Sequence, residues 1–288
     1  MNQNIFILTM LSKILSRASI ILENIIMPIQ LNKKIIFLHI PKTAGQSIHN
    51  VFQSKISKSK ISPINVYDQD RSSFKDSHKY SYFGGHINWD EVDDLFKRDE
   101  IFIFTVLRDP QERLASFYLY LKKEAEEFEM EYLKNNNKIG MIHLLNNSIE
   151  DYFFPNDIKM KNFIGDMYRD FYVRFFLQKT YRTKIGNFSY ISPKQKLKAI
   201  KNIMSLDYIG FIENLGPLES KLQSEFKTSF DFSENKININ DMQGSSKWQI
   251  FKEMAEKERA GLSDDIKELI KNDLHFYKEV KLLTKELI

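Results

Sequence analysis

The 288-residue chain is predicted to have an α/β fold, in which a single P-loop-like domain is built on a central parallel β-sheet flanked by helices. Short, fully apolar runs are the first indication, because the strands of a parallel sheet are buried on both faces. Longer amphipathic segments separate or follow these runs, as the crossover connections of parallel strands require. A loop rich in small and hydroxylated residues follows the first run, at the edge where such sheets bind ligands.

The pattern predicts the following elements in chain order. Apolar runs predict strands at Ile35–Ile40, Tyr80–Phe83, Ile101–Leu107 and Tyr208–Phe211. Helical periodicity predicts helices at about 45–56, 110–134, 159–179, 193–204, 216–227, 247–259 and 264–286, so the C-terminal part is mainly helical. Polar stretches predict loops at 55–79, 135–138 and 228–246, the last with room for a short strand at Lys236–Ile239.

The first 30 residues are predicted to form a separate amphipathic helical segment, followed by the main domain at 31–288. Polar residues recur at helical spacing along an otherwise apolar segment: Ser12, Ser16, Ser19 and Glu23. Charges interrupt the apolar run at 5–27, so we expect neither a full transmembrane helix nor a signal peptide. The helix would pack on the domain or a partner subunit, or lie on a membrane surface. We therefore expect a cytoplasmic protein, with peripheral membrane contact through 5–27 as one option.

Composition narrows the function classes. The net charge of +4 is too mild for a general nucleic-acid binder. The chain has no cysteine, which excludes disulfides, thiolate zinc sites and cysteine nucleophiles. Its six histidines are scattered outside the usual metal-binding spacings, so no metal site is expected. The oligomeric state is left open.

The loop from Pro41 to Ser47 has the features of an anion site. It reads Pro-Lys-Thr-Ala-Gly-Gln-Ser, and a helical pattern begins directly after it. Backbone N–H groups and the positive end of the helix dipole attract anions at a helix N-terminus, and Lys42 adds a mobile charge. The lysine comes early and Gly45 is the only glycine, unlike in the triphosphate loop G-x-x-x-x-G-K-[ST]. A phosphate ligand is therefore predicted, while ATP and GTP are not favoured.

A second anion site is predicted where the strand Ile101–Leu107 ends. Arg108 follows this strand, and its planar fork suits phosphate. Asp109 is placed as a helix N-cap with Pro110 at the first helical position. Ser116 lies about two turns into this helix, on the side that faces back toward a ligand of Arg108.

A third segment ends a predicted strand in two glycines and a histidine, Gly84-Gly85-His86. Glycines allow the close approach of a ligand to the backbone. The pKa of histidine suits general base catalysis near neutral pH. A lone histidine is more often structural, so the residue types alone leave both roles of His86 open.

In this order, the three segments resemble the PAPS-dependent sulfotransferases, specifically the carbohydrate branch that includes the heparan sulfate 2-O-sulfotransferases. Residues 39–47 are similar to the family's 5′-phosphosulfate loop, although Gln46 stands where threonine is commoner. Residues 108–118 are similar to its 3′-phosphate motif, R-D-P-x-x-R-x-x-S-x-Y. Gly85-His86-x-x-Trp89 falls where that branch carries its catalytic histidine. Weaker similarity extends the resemblance over about residues 35–284.

The resemblance implies transfer of a sulfuryl group from PAPS, 3′-phosphoadenosine 5′-phosphosulfate, to a hydroxyl without a metal ion. His86 would accept the hydroxyl proton, and Lys42 would stabilise the leaving phosphate. The cofactor would be bound at its 5′ end by Lys42, Thr43, Ala44, Gly45, Gln46 and Ser47. Its 3′-phosphate would be bound by Arg108 and Ser116, with Lys247 in a loop that closes over the cofactor.

The acceptor is expected to be a carbohydrate or glycoconjugate, bound by variable loops at 55–79, 135–160 and 228–246. Two other hypotheses stay open. One is a P-loop-type phosphotransferase that depends on ATP and Mg²⁺. The other is a non-catalytic protein of the same fold that binds an anionic glycan or a protein partner.

Overall fold

The computed structural model describes residues 31–63, 77–87, 97–178, 190–232 and 246–286. Four parallel strands form its sheet in the order β2-β1-β3-β4. They are β1 Lys34–Leu38, β2 Tyr82–Gly85, β3 Ile101–Leu107 and β4 Tyr208–Phe211. Ile35 of the central strand β1 lies opposite Tyr82 on one side and Phe102 on the other. The predicted parallel sheet is confirmed, with β1 ending earlier and β2 later than the sequence indicated.

The helices follow in chain order. They are α1 Gly45–Lys55, α2 Pro110–Glu127, α3 Met130–Asn135, α4 Ile139–Asn146, α5 Ile149–Phe153, α6 Ile158–Met167, α7 Phe171–Gln178, α8 Pro193–Ile203, α9 Gly216–Phe226, α10 Lys247–Glu258, α11 Leu262–Glu268 and α12 Lys271–Glu286. Short 3₁₀ turns occur at Lys58–Lys60, Ser77–Lys79 and Arg98–Glu100.

Alternate residues of the strands face two different helical layers. Ile36, Leu38 and Ile103 pack in one cluster with the apolar residues of α7, α8 and α12. Phe37 and Phe104 point to the other face, toward the apolar residues of α1 and α9. A third cluster joins α2, α5, α6, α10 and α11 beside the sheet. Both faces are therefore covered, which leaves the strand ends as the place for a ligand.

Three predicted helices each consist of two helices, and tertiary contacts explain one break well. The segment 159–179 is interrupted at Asp170, which has a positive φ of 44°. The carboxylate of Asp273 accepts hydrogen bonds from the N–H groups of Tyr172 and Val173, both at 3.0 Å, and so caps the start of α7. The capping residue lies about a hundred positions away in sequence, where local periodicity gives no signal.

The predicted loop at 135–160 is wrong, because this range contains α4, α5 and the start of α6. Ser148 caps α5 by accepting a hydrogen bond from the N–H of Asp151 at 3.0 Å. Tyr152 and Phe153 of this short helix are buried against the rings of Tyr118 and Phe251. Packing therefore stabilises a five-residue helix that its own propensity would not.

Several predictions fall on residues outside the described ranges. These are the N-terminal helix with its membrane contact and its boundary at residue 30, the strand at Lys236–Ile239, Trp89, and the loop residues before Ser246. They stay predictions, as does the cytoplasmic location. Across the described ranges, every helix is too short or too polar to traverse a lipid bilayer.

Candidate active site

The loop between β1 and α1 has the backbone conformation of a tight anion cradle. Lys42 and Ala44 both have positive φ angles, 69° and 66°. Non-glycine residues adopt this region at a cost of roughly 1–3 kcal/mol, and such strain concentrates at functional sites. Ala44 is the N-cap of α1 and provides no side-chain cap, so the first N–H groups of the helix point into the loop without that partner.

Thr43 is the one predicted loop residue whose side chain turns away from the site. It is fully buried, and its hydroxyl donates to the carbonyl of Ile40 at 2.8 Å. This bond ties the loop back to the end of β1. Any contact of Thr43 with an anion would therefore involve its backbone N–H alone.

A cavity of about 750 Å³ opens at the carboxyl ends of the strands. Neighbouring parallel strands β2, β1 and β3 end side by side there, which brings three separate sequence segments together. With the exception of Thr43, every predicted site residue lines this cavity: Lys42, Ala44, Gly45, Gln46, Ser47, His86, Arg108, Ser116 and Lys247.

Lys42 is held inside the cavity. Its Nζ lies 3.9 Å from the centroid of the Tyr120 ring, which is a cation–π contact. Burial, together with the positive charges of Arg108 and Lys247, lowers the pKa of Lys42 to about 8. Three cationic groups thus converge on one space, and a bound anion would relieve their mutual repulsion.

Two hydrogen bonds fix the backbone of Arg108 at the end of β3. The hydroxyl of Tyr172 accepts from the Arg108 N–H at 3.2 Å and donates to the Arg108 carbonyl at 2.8 Å. Asp109 caps α2 as predicted, since its carboxylate accepts from the N–H groups of Gln111 and Glu112. Pro110 is the first helical residue, also as predicted.

The guanidinium of Arg108 is oriented by two further contacts. Its Nη2 donates to Oε2 of Glu112 at 3.1 Å, and its Nη1 lies 3.5 Å from the carbonyl of Lys42. Ser116 is 9% exposed and lines the cavity from the same helix, α2. The Arg108 side and the Lys42 loop are therefore in direct contact.

His86 has a defined tautomer. Its Nδ1 lies 3.0 Å from the carbonyl oxygen of His39. Because a carbonyl only accepts, the proton is assigned to Nδ1 and the lone pair to Nε2. This is the form that a general base requires.

A chain of aromatic groups, half-buried at His39 and buried at His49 and Tyr82, supports His86, and the sequence did not reveal it. The His39 ring stacks on the His86 ring with centroids 4.8 Å apart, and its Nδ1 lies 3.3 Å from Nε2 of His49. Nδ1 of His49 in turn lies 2.7 Å from the hydroxyl of Tyr82. Burial holds the pKa of His39 well below its usual range and lowers that of His49 to about 4. Both rings are therefore neutral at pH 7.

Gly45 leaves the space that His39 occupies. A Cβ atom at position 45 would lie 1.7 Å from Nε2 of His39, far inside any contact distance. The loop, the histidine stack and His86 therefore depend on one another for their positions. The only sequence signal was the repeated histidine on both sides of the loop, at positions 39 and 49.

Lys247 lines the cavity at the start of α10, on the side of Arg108. Its backbone N–H donates to Oε2 of Glu112, and the N–H of Trp248 donates to Oε1, both at 3.1 Å. Glu112 lies in the first turn of α2 and so joins the starts of two helices that are distant in sequence. Within the described ranges, no cluster of three or more histidine, aspartate or glutamate side chains is arranged to hold a metal ion.

The arrangement suits a ligand with two separated anionic groups and a hydroxyl nucleophile. The Lys42 loop with the N-terminus of α1 could bind one anionic group, and Arg108 with Ser116 could bind another. His86 lines the same cavity, and the unprotonated nitrogen of its assigned tautomer can accept a proton.

The sequence of this chain matches a known protein family. A family model described as the sulfotransferase family matches residues 28–278. Mouse sulfotransferase SULT7A1, whose structure was solved in complex with PAP, aligns with 13% identity and a TM-score of 0.37, over 85% of this chain and 91% of that chain. No curated protein matches the sequence significantly. Because the family model spans most of its length, the chain belongs to the sulfotransferase family.

Proposed function

We propose that the protein transfers a sulfuryl group from PAPS to a hydroxyl group of a carbohydrate, with His86 as the general base. The observation that carries this proposal is the convergence of Lys42, Arg108 and His86 on one cavity. Family membership supports the reaction class, and the donor set fits a nucleotide with phosphates at both its 5′ and 3′ positions. The phosphotransferase hypothesis has no specific observation in its favour.

At the 5′ end, the N–H groups of the loop and of the first turn of α1 would bind the phosphosulfate. Lys42, Ser47 and Gln46 also line the cavity. At the 3′ end, Arg108 and Ser116 would bind the second phosphate, which distinguishes PAPS from an ordinary adenylate. Lys247 would add positive charge between α10 and the loop, consistent with its effect on the pKa of Lys42.

Bound PAPS supplies the sulfuryl group and a phosphate that leaves with the electrons of the broken S–O bond. Nε2 of His86 would take the proton of the acceptor hydroxyl as the new O–S bond forms. The His39 carbonyl, 3.0 Å from Nδ1, would then stabilise the imidazolium. Lys42 would balance the negative charge on the departing phosphate. Base catalysis of this kind contributes roughly 10²–10⁴-fold in rate.

A carbohydrate is proposed as acceptor because the His86 segment resembles the carbohydrate branch. Much of 55–79 and 228–246, where acceptor contacts are expected, lies outside the described residues.

Transfer of ³⁵S-labelled sulfate from PAPS to a panel of glycans tests the proposal. We expect labelled product with the wild type. We expect a loss of about 10²-fold or more with His86→Ala, which should still bind PAP, the desulfated cofactor. Tight binding of ATP–Mg²⁺ without binding of PAP would refute the proposal. Binding of PAP without transfer to any acceptor would instead favour the non-catalytic hypothesis.

A further inference from the structure

We propose that Glu112 is a positioning residue that fixes Arg108 against the N-terminus of α10 and thereby sets the selectivity for a 3′-phosphate. This role deepens the proposed function and depends on it. Glu112 itself would not touch the reacting atoms.

The first observation is the half-buried ion pair between Glu112 and Arg108. Their side chains are 22% and 18% exposed, and Nη2 lies 3.1 Å from Oε2. Water screens such a pair less than it screens a surface pair. Tyr172 already fixes the backbone of Arg108 through two hydrogen bonds. Glu112 therefore restrains the direction of the Arg108 guanidinium, which the backbone contacts do not fix.

The second observation is independent of the first and comes from the other end of the chain. Both oxygens of Glu112 accept N–H groups from the first turn of α10, those of Lys247 and Trp248. Ser246 caps the same helix by accepting the N–H of Gln249 at 3.0 Å. The first N–H groups of a helix have no acceptor within the helix, and the Glu112 carboxylate of α2 accepts two of them from α10. This places Lys247 and Arg108 at fixed positions around one part of the cavity.

The opposite role, in which Glu112 competes with the ligand for Arg108, fits the geometry less well. A guanidinium carries five N–H donors, and the contacts within the described ranges engage Nη2 once and Nη1 at the outer limit of a hydrogen bond. A phosphate can therefore bind Arg108 while Glu112 stays in place. A competing carboxylate would have to leave, and its departure would also release the N-terminus of α10.

Glu112→Gln tests this role, because its amide would present a donor to groups that are donors themselves. Glu126→Gln is the matched control: Glu126 lies on the same helix in an exposed pair with Lys122 at the same spacing. Calorimetry would measure binding of PAP and of 5′-AMP, which lacks the 3′-phosphate. We expect Glu112→Gln to weaken PAP about tenfold, with AMP nearly unchanged. The KM for PAPS should rise while kcat is retained, because the 3′-phosphate does not react.

Hydrogen exchange provides a second readout that needs no ligand. The amides of Lys247 and Trp248 should exchange faster in Glu112→Gln and in Glu112→Ala, and at the wild-type rate in Glu126→Gln. If Glu112→Gln loses PAP affinity and AMP affinity equally, Glu112 acts only on the fold, and its proposed role in selectivity is wrong. Tighter PAP binding by Glu112→Gln would overturn it as well, in favour of competition.

The failure of this role can be told apart from the failure of the proposed function. Wild-type protein that does not bind PAP would refute the proposed function, whatever the variants do. Wild-type protein that prefers PAP over AMP, with the same preference in Glu112→Gln, would refute only the role of Glu112.

Discussion

The two anion sites proposed for the cavity are built in different ways. The Lys42 site is local, since its loop, helix N-terminus and strained backbone all lie within residues 38–48. The Arg108 site depends on distant groups: Tyr172 lies 64 residues from Arg108, and Lys247 at the start of α10 lies 135 residues from its partner Glu112. We infer that local changes disrupt the first site directly, whereas the second site can be weakened from several places in the fold.

The largest effect is expected from Gly45→Ala in the local site. The new Cβ would overlap the His39 ring, so either the ring or the loop must move. A displacement of about 1 Å near reacting groups costs about 10²-fold in rate, so we expect kcat/KM to fall at least that far. Steady-state kinetics on folded protein, checked by circular dichroism, would measure this.

Gly216→Ala is the control for this substitution. Position 216 begins α9, and a Cβ there would approach no atom closer than the 3.4 Å of Asn214 Oδ1. It should leave activity unchanged. Full activity of Gly45→Ala would mean that the loop and the histidine stack are not sterically linked.

The pH dependence of PAP binding should report the second largest effect, at Lys42. Its pKa is lowered to about 8, so the ammonium that attracts phosphate is lost as the pH rises through that value. A bound anion favours the charged form, and binding therefore takes up a proton above about pH 8. Affinity should be constant near pH 7 and then fall by up to about tenfold per pH unit. Calorimetric titrations between about pH 7 and 9.5 would show this.

Lys42→Arg separates this titration from other groups. A guanidinium stays charged over the whole range, so the profile of the variant should be flat even if its affinity is lower. If PAP affinity falls with pH at the same rate in the wild type and in Lys42→Arg, a group other than Lys42 causes the pH dependence.

A smaller effect on PAP binding is expected from Tyr172→Phe, which changes the Arg108 site. The change removes both hydrogen bonds to the Arg108 backbone and keeps the buried ring. Each such bond contributes about 0.5–1.5 kcal/mol, so we expect PAP affinity to fall about five- to tenfold and AMP affinity to change little.

Tyr168→Phe is its matched control. Tyr168 is equally buried, and its hydroxyl bonds the hydroxyl of Tyr152 at 3.0 Å, away from Arg108. It should lower thermal stability to a similar degree without changing PAP affinity. Equal loss of PAP affinity in both variants would contradict a specific role for Tyr172.

The contrast between local and distant contacts also explains which parts of the fold and of the site could be predicted from the sequence. The strands, the Lys42 loop and the Asp109–Pro110 cap were predictable, because their signals lie in adjacent residues. Glu112 and Tyr172 were not recognised, since their partners are brought close only by folding. His39 and His49 were visible in the sequence, but nothing local indicates that the His39 ring lies against Gly45, stacks on His86 and meets His49 edge-on.

The same reasoning applies to the errors in secondary structure. The helix predicted at 110–134 ends at Glu127, because Phe128 is extended, with φ −111° and ψ 145°. The interruption at Asp170 is enforced by Asp170 itself, whose carboxylate accepts the backbone and side-chain N–H groups of Asn272. Contacts of this range override helical periodicity and leave no trace in a local window.

The most direct test of the two-site cavity is the preference for PAP over 5′-AMP, measured by calorimetry without Mg²⁺ in wild type and in Arg108→Ala. We predict that the wild type binds PAP about 10²-fold more tightly, as expected for charge-assisted bonds to a phosphate. We also predict that Arg108→Ala loses most of this preference and retains its affinity for AMP. Equal binding of PAP and AMP by the wild type would contradict the central claim that the cavity holds one ligand by two phosphates.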